Sequence, residues 1–433
     1  MKTVSSKIKN VLPKTHIQIL NAAAELSQDI DTDLYLVGGC VRDIMLGAPE
    51  GNLDIDLAGS GIDRDFADRL ADKLKGKVKS SSLFGTHKLS VPVGYQTNIE
   101  IDLALCRSEI YKTPGSLPDV IPGDLFQDLL RRDFSVSAMC IVLRSPEDQD
   151  WQWGQFIDPH AGYKDLKNEE LRILHKNSFV DDPTRMFRLL RYSGRLGFAI
   201  EEETKKTFES SLNWVSVISG ERIRHELEKI FEEKEVGVIL SNCVMTGLLP
   251  AFLTQIDCNH LIKFKGLKYS GDFKNDTAEF WFGIIGMNAD KTQVEYLSRT
   301  LNLNSKQREV IEDSSSLNKQ LQKHSAQLVS EDRKRSDIYK FLVEYNVVAI
   351  QVCAATTCDM SIKIMLEMYL SSLINTHIEL SGDDLISLGV RKGPEIGELL
   401  NNLLYAKLDG QLPSIDSEMD YIKNYIRNKL NDS

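Results

Sequence analysis

Long apolar runs are missing from this chain of 433 residues. No stretch approaches the roughly 20 apolar residues of a membrane-spanning helix, which excludes a helical membrane protein and sets the expectation of no membrane partner. The seven cysteines are scattered without CxxC or Cys/His spacing. That argues against a structural zinc site or a disulfide framework and fits reduced thiols in the cytoplasm. Positive charge is in deficit, with 52 Lys and Arg against 63 Asp and Glu, a net −11. Such a balance speaks against diffuse binding of nucleic acid, although a local basic patch remains open. Lys2, Lys7, Lys9 and Lys14 precede the first acid, Glu25, but the segment lacks arginine and an apolar signal core and gives a targeting role little support. What is present, 42% hydrophobic and 27% charged residues, describes a soluble globular protein whose length predicts two to four domains.

The most informative stretch is Leu36-Val-Gly-Gly-Cys-Val-Arg-Asp-Ile-Met-Leu-Gly47, followed closely by Asp54-Ile-Asp56. Leu34 to Val37 is a short apolar run ending at Gly38-Gly39, the pattern of a buried strand that stops at a tight turn. Two adjacent glycines leave backbone N–H groups uncovered by any Cβ, a geometry that can grip a phosphate. A helix resuming at Val41 adds the partial positive charge of its N-terminus at the same place. Leu53 to Leu57 alternates, so Asp54 and Asp56 share one face. Neighbouring carboxylates repel unless a cation lies between them, and Mg²⁺ is an oxygen-liganded ion that leaves positions for water and substrate phosphate. Either half alone is common, as a plain turn or a solvated edge. Their order and spacing together are far more specific.

Spacing predicts a helix over about 15–30, a second at Phe66 to Leu74, and a strand from Phe84 to Val91 with a turn at Pro92. Thr97 to Leu105 alternates again, with Glu100 and Asp102 on one face. Laid beside the Asp54 strand, Asp102 becomes a third carboxylate able to hold metal and take a proton from an attacking hydroxyl. The alternative places it on the solvent face of an edge strand. Arg107 to Gln127 is punctuated by Pro114-Gly115, Pro118 and Pro122-Gly123, lacks periodicity and reads as a long functional loop. Arg131-Arg132-Asp133 offers forked donors to phosphate and an acceptor for a ribose hydroxyl, or else a solvated helix face.

Pro183 suits the first turn of a helix, with Asp182 as its N-cap and Arg185 one turn in. The same two side chains can read the Watson–Crick edge of C or A, because a carboxylate accepts from an exocyclic amine and a guanidinium donates to a ring nitrogen. Arg188, Arg191 and Arg195 lie on polar faces of this helix, which stops at Gly197. Ser219 caps a further amphipathic helix running to Ile230. Beyond about residue 235 there are helical periods and loops, with no metal constellation and no His-Asp dipeptide, which argues against an appended phosphohydrolase domain.

The Gly-Gly turn with Asp-x-Asp resembles the signature of the polymerase-β-type nucleotidyltransferase superfamily, in the branch of class II tRNA nucleotidyltransferases (CCA-adding enzymes) and poly(A) polymerases. Arg131 to Ala138 is similar to that family's Arg-Arg-Asp-Phe-Thr-Ile-Asn-Ala run, with Ser135, Val136 and Ser137 replacing Thr, Ile and Asn. Asp158, Gly162, Asp165 and Arg172 stand at the positions of its hinge motif. Asp181 to Arg185 resembles its Glu-Asp-x-x-Arg, with Asp181 in place of Glu. Glu221, Arg222 and Glu226 match a motif that braces the base-reading helix, and Gly382 to Gly397 with Lys407 to Gly410 resemble its C-terminal helical region.

The resemblance implies an α+β protein: a small mixed β-sheet nucleotidyltransferase head (1–150), then an all-α neck that selects nucleotides (151–235) and a body and tail that bind tRNA (236–433). It implies Mg²⁺ on Asp54 and Asp56, and catalysis by Asp54, Asp56 and Asp102. Nucleotide contacts fall to Gly38, Gly39, Arg42, Arg132, Asp133, Asp182, Arg185, Arg188 and Arg191. The partners implied are the tRNA acceptor stem and 3′ end, CTP and ATP. The activity implied is template-independent addition of C and/or A residues of the 3′-terminal CCA, with release of pyrophosphate. An enzyme that adds only the terminal A would look much the same. A CC-adding enzyme would lack the loop at 107–127, and a poly(A) polymerase would carry an arginine-rich segment where Leu83 to Ser90 has none. A non-catalytic RNA-binding protein on this scaffold would have no use for intact Asp54, Asp56, Arg132 and Asp133.

Overall fold

The computed structural model describes residues 4–47, 54–82, 85–94, 97–144, 153–267, 277–328 and 333–431; Leu53, Leu83 and Phe84 of the expectations above lie outside them. Two compact units emerge, Met1–Glu226 with Met245–Phe252, and Leu227–Val244 with Leu253–Ser433. In the first, β1 (Leu34–Val37), β2 (Ile55–Gly59), β3 (Lys77–Ser81), β4 (Thr86–Gly94), β5 (Thr97–Leu105), β8 (Cys140–Arg144) and β9 (Phe156–Ile157) form one sheet. Its order is β3-β4-β5-β2-β1-β8-β9, with β2 and β5 parallel and the other neighbours antiparallel. The Asp54 segment and the Asp102 strand are thus adjacent, as alternation predicts. Strand β1 is buried at every residue, in keeping with an unbroken apolar run that needs cover on both faces.

Helix α1 (Ser5–Val11) leads into α2 (Lys14–Asp29), which packs on β1 and β8. The turn after β1 opens α3 (Gly39–Leu46), and α4 (Arg64–Lys73), capped by Asp63, covers β3 and β4. On the opposite face Tyr35, Val37, Ala58 and Val142 pack with Leu125 and Leu129 of α5 (Leu125–Leu130). Each such buried side chain contributes about 1.5–3 kcal/mol relative to exposure.

The segment 107–127 is not the irregular loop that its prolines and glycines suggest. Strands β6 (Arg107–Ile110) and β7 (Asp119–Pro122) pair antiparallel as a hairpin with its tip at 111–118, and Asp124 with Gln127 forms the capping box of α5. Four-residue strands are too short to show a period, and Pro122 sits at a strand end, where its missing donor costs little. Pro92 likewise stays within β4, beside a register shift, instead of turning the chain. Strand β8 escapes notice because its first four residues are buried on both faces and give no alternation.

After the sheet come α6 (Gly162–Lys167), α7 (Ser178–Asp181), α8 (Thr184–Leu196), α9 (Glu202–Ser211) and α10 (Gly220–Phe231), with β10 (Glu170–Leu171) and β11 (Ala199–Ile200) as a short parallel pair. The hinge residues are structural fasteners. Asp158 accepts from the N–H of Gly162 and Tyr163 at 2.7 and 3.0 Å, and buried Asp165 accepts from Ser135 Oγ at 2.6 Å and Arg172 Nε at 3.1 Å. The second unit is helical among its described residues. One core gathers around Leu317, Leu342 and Leu366, and another around Leu385, Leu403 and Ile422. Among the described residues no single helix is long and apolar enough to cross a membrane.

Asp128, within α5, is 0% exposed. Burial alone would raise its pKa, but Arg132 and Arg131 beside it hold it below the ordinary carboxylate range. Breaking a buried ion pair from one side strands the other charge, at a cost of about 3–5 kcal/mol. Asp128→Ala is therefore expected to lower stability by about that amount at pH 7, read by chemical denaturation. Because the folded-state pKa is depressed, the deficit is full above the unfolded value of about 4 and closes as pH falls below it.

Candidate active site

One cavity of about 610 Å³ in the first unit collects most of the residues singled out in the sequence. Gly38, Gly39, Arg42, Asp54, Asp56, Arg132, Asp133, Asp182, Arg185 and Arg188 all line it. Eight arginines and six carboxylates share the wall, an excess of positive charge that suits a polyanion.

At one end Gly38 adopts φ +77°, and a Cβ there would stand 2.7 Å from Asp56 Oδ2 and 3.3 Å from Arg132 Nη1. Glycine is thus required twice over, by its left-handed backbone and by this close approach. Asp56 accepts no hydrogen bond among the described residues. Burial, followed by Asp102 and Asp54, raises its pKa to about 6 against the pull of Arg132. Asp54 is raised as well, chiefly by burial and then by Asp102. Two carboxylates that are costly as anions, with no hydrogen-bond donor to either among the described residues, have the chemistry to hold a cation. Among the described residues no group of three or more His, Cys, Asp or Glu is placed to share a metal ion. Asp102 lies opposite Asp56 across the parallel pair but outside the cavity, and Lys88 Nζ donates to its two oxygens at 3.0 and 2.8 Å. Those bonds raise the Lys88 pKa.

Asp128 divides its oxygens between Arg131 (2.7 and 3.0 Å) and Arg132 (2.9 Å) and so fixes both guanidinium groups. Asp133 accepts from its neighbour Phe134 N at 2.9 Å and from Arg188 Nη2 at 2.6 Å. Burial opposes the charged form of Asp133, yet Arg188, Arg185 and that N–H keep its pKa below the usual range, and Asp133 raises that of Arg188 in return. Arg132 Nε and Arg188 Nε are buried donors with no partner among the described residues. A buried N–H without an acceptor is costly, so each is a candidate ligand contact.

At the other end Asp182 Oδ1 accepts from Thr184 N (3.1 Å), Thr184 Oγ1 (2.6 Å) and Arg222 Nη2 (2.9 Å). It thus caps α8, while Oδ2 accepts nothing among the described residues. Arg185 donates to Ser178 Oγ and to the Arg131 carbonyl, both at 2.7 Å, which locks its plane. Arg222 also donates to the Gly115 carbonyl at 2.6 Å, tying the hairpin tip to Asp182. Arg191 does not line the cavity; it is buried, 3.7 Å from Glu226 and 5.1 Å from the Tyr192 ring centre.

Several lining residues were not singled out from sequence. Arg107 and Glu109 of β6 and Tyr111 just beyond it face the pocket, and Glu109 accepts from Arg107 (3.0 Å), Tyr111 (2.8 Å) and Arg131 (3.2 Å). Their i, i+2 spacing is the only trace of a strand in what reads as a loop. Tyr192 lies one turn beyond Arg188, and the Arg42 guanidinium sits 5.8 Å from its ring centre. The i+4 spacing from Arg188 was the available signal.

The raised pKa of Asp56 has a thermodynamic consequence. Its folded state resists ionisation, so the carboxylate destabilises the protein by an amount that builds from pH 3.8 to about 6 and is level above. In EDTA, Asp56→Asn should be the more stable protein at pH 7 by on the order of 3 kcal/mol, with the advantage gone below about pH 4. Denaturation curves of both proteins across this range check it.

The sequence agrees with known proteins along most of its length. Residues 34–172 match the family described as Poly A polymerase head domain, and residues 197–258 match Probable RNA and SrmB- binding site of polymerase A. The A-adding tRNA nucleotidyltransferase of Geobacter sulfurreducens is 30% identical over 430 residues, which cover 94% of this chain and 47% of that protein, so the chain spans about half the length of this relative. The A-adding tRNA nucleotidyltransferase of Halalkalibacterium halodurans is 28% identical over 435 residues, covering 98% of this chain and 95% of the relative. Among solved structures, a CCA-adding enzyme in its apo form II superposes with a TM-score of 0.81 at 26% identity, over 97% of this chain and 98% of that one. The strand order and helical remainder described above are that fold. On these matches the chain belongs to the class II family of tRNA nucleotidyltransferases and poly(A) polymerases.

Proposed function

We propose that this nucleotidyltransferase completes tRNA 3′ ends in the cytoplasm, adding C and A residues of the terminal CCA from CTP and ATP and releasing pyrophosphate. The observation that carries the reading is that one cavity joins the Asp54–Asp56 pair to Asp182 and Arg185. A site with a carboxylate pair at one end and an acceptor–donor pair at the other suits a ribonucleoside triphosphate lying between them. The labour divides accordingly into a catalytic head (1–150), a selecting neck (151–235) and a body and tail that take tRNA (236–433).

Asp54 and Asp56 would hold Mg²⁺, which when bound neutralises phosphate charge and favours ionisation of an attacking hydroxyl. The other steps fall to the chain itself. The N–H groups of the Gly38-Gly39 turn and the free Nε of Arg132 and Arg188 present donors to phosphate and sugar. Asp133 keeps acceptor capacity for a ribose hydroxyl. Positioning and charge neutralisation are most of what phosphoryl transfer requires. Asp54→Ala should abolish incorporation while leaving tRNA affinity nearly unchanged, whereas Arg132→Ala should raise the KM of CTP and ATP alike; steady-state kinetics with a filter-binding assay separates the two effects.

A second reading, addition of the terminal A alone, is favoured by the names of the two relatives matched along nearly the whole chain. The hairpin tip supplies a test. Removing residues 112–117 frees Arg222 and Asp182 from Gly115 and should cripple A addition more than C addition. Equal survival of both steps would make the tip a passive connection.

The choice of base is tested at Asp182, whose two oxygens have separate tasks. In Asp182→Asn the carbonyl can keep the cap and the Arg222 contact, and the amide NH₂ then replaces the free Oδ2. A donor now faces the base where an acceptor stood, which suits the carbonyl of U or G. The variant should melt near the wild-type temperature and lose about tenfold to a hundredfold of its selectivity against UTP and GTP. Incorporation of each of the four nucleotides onto a tRNA lacking its end gives the result. A destabilised variant with strict C and A selection would reduce Asp182 to a helix cap.

A further inference from the structure

Strands β2, β5 and β4 are neighbours, and their register places Asp56 opposite Asp102 and Asp102 opposite Lys88. Directly opposed residues share a face, so the three side chains form a row across the sheet. Lys88 Nζ grips both Asp102 oxygens, and yet 56% of its side chain is exposed. The arginine-rich cavity extends the other way. It is lined by the turn after β1, by Asp54 and Asp56 and by the segment before β8, and neither Asp102 nor Lys88 contributes.

In-line transfer puts the attacking oxygen and the leaving pyrophosphate on opposite sides of the phosphorus. With the triphosphate on the β1 side of Asp56, an acceptor strand reaches the same point from the β5 side, over Asp102 and Lys88. A bare carboxylate there would repel an RNA backbone, whereas an exposed ammonium attracts it. Neighbouring strands are about 4.8 Å apart, so the Lys88 backbone lies about 10 Å from that of Asp56. The Lys88 ammonium itself rests on Asp102, only one strand spacing (about 4.8 Å) from the Asp56 position, a distance within one nucleotide's reach.

We propose that Lys88 holds the acceptor RNA by the last internucleotide phosphate behind its 3′-hydroxyl, with Asp102 positioning the ammonium. The assignment rests on the reading of the cavity as the nucleotide site. Lysine meets a phosphate as a point charge, and arginine can replace it in that task at some loss of fit.

The test is fluorescence anisotropy, without nucleotide, on an acceptor-stem minihelix lacking its terminal A. The last linkage is either a phosphodiester or a neutral methylphosphonate. Lys88→Met should weaken binding of the phosphodiester RNA roughly tenfold, and Lys88→Arg by no more than about threefold. On the methylphosphonate RNA the wild type and Lys88→Met should bind alike. The double variant Lys88→Met/Asp102→Asn, which also removes the repelling carboxylate, should regain part of the loss but stay clearly weaker than the wild type. An equal loss on the neutral linkage overturns the proposal, and so does full recovery of the wild-type affinity in the double variant, since Lys88 would then serve only to neutralise Asp102. These arms need no turnover. A wild type that binds the minihelix but adds no nucleotide overturns the reading of the cavity, while the Lys88 comparison is decided by affinity alone.

Discussion

The site depends on a carboxylate that no solvent reaches. Asp128 lies within α5 and draws Arg131 and Arg132 to its two oxygens. Much else hangs from that arrangement. Arg131 reaches Glu109 in the hairpin, its carbonyl receives Arg185 from α8, and Arg132 points at the Gly38 turn and Asp56. Asp133, next in sequence, engages Arg188 one turn beyond Arg185. A run of six residues thereby connects the sheet, the hairpin and the helix that bears Asp182. A buried ion pair of this type adds little net stability, because desolvation offsets the attraction. Its effect is to leave the two arginines one place to be, which a site for a flexible triphosphate requires.

Carboxylates in this region divide by partner. Asp128 and Asp133, each bound by arginine, stay ionised despite burial, whereas Asp54 and Asp56, without a donor among the described residues, are pushed upward. Asp102 belongs to neither class, since Lys88 holds it at the exposed end of the row. The same kind of side chain is therefore an anchor where guanidinium groups bond to it, and a costly anion where no donor among the described residues does. Stability is lower where the pair is bare, a trade that functional sites commonly make.

Much of this was legible in the sequence. The Gly-Gly turn, the alternating Asp-x-Asp segment and the Pro183 helix start each rest on local chemistry, and each folds as local chemistry dictates. That the Asp56 and Asp102 strands lie side by side followed from two alternating segments that needed a common sheet; their parallel direction did not. The hairpin did not follow. Its strands are short and one ends in proline, and Glu109 is fixed by Arg131, a contact across 22 residues that no window of periodicity contains. The role of Asp128 was hidden for the same reason, since an acid on an amphipathic helix reads as solvated until the fold buries it. The double duty of Asp182, cap through one oxygen and open acceptor through the other, required Arg222, 40 residues away.

The central claim is that the cavity selects C and A for addition to a tRNA end. The most direct measurement supplies the wild-type enzyme and Mg²⁺ with tRNA transcripts that lack CCA, lack only the terminal A, or are complete, each with one labelled nucleotide at a time. The account predicts that ATP labels the transcript lacking only its terminal A, by a single residue, and that the complete transcript takes no label. It also predicts that UTP and GTP enter none of the three. A growing run of A residues, or label from UTP or GTP, would contradict it.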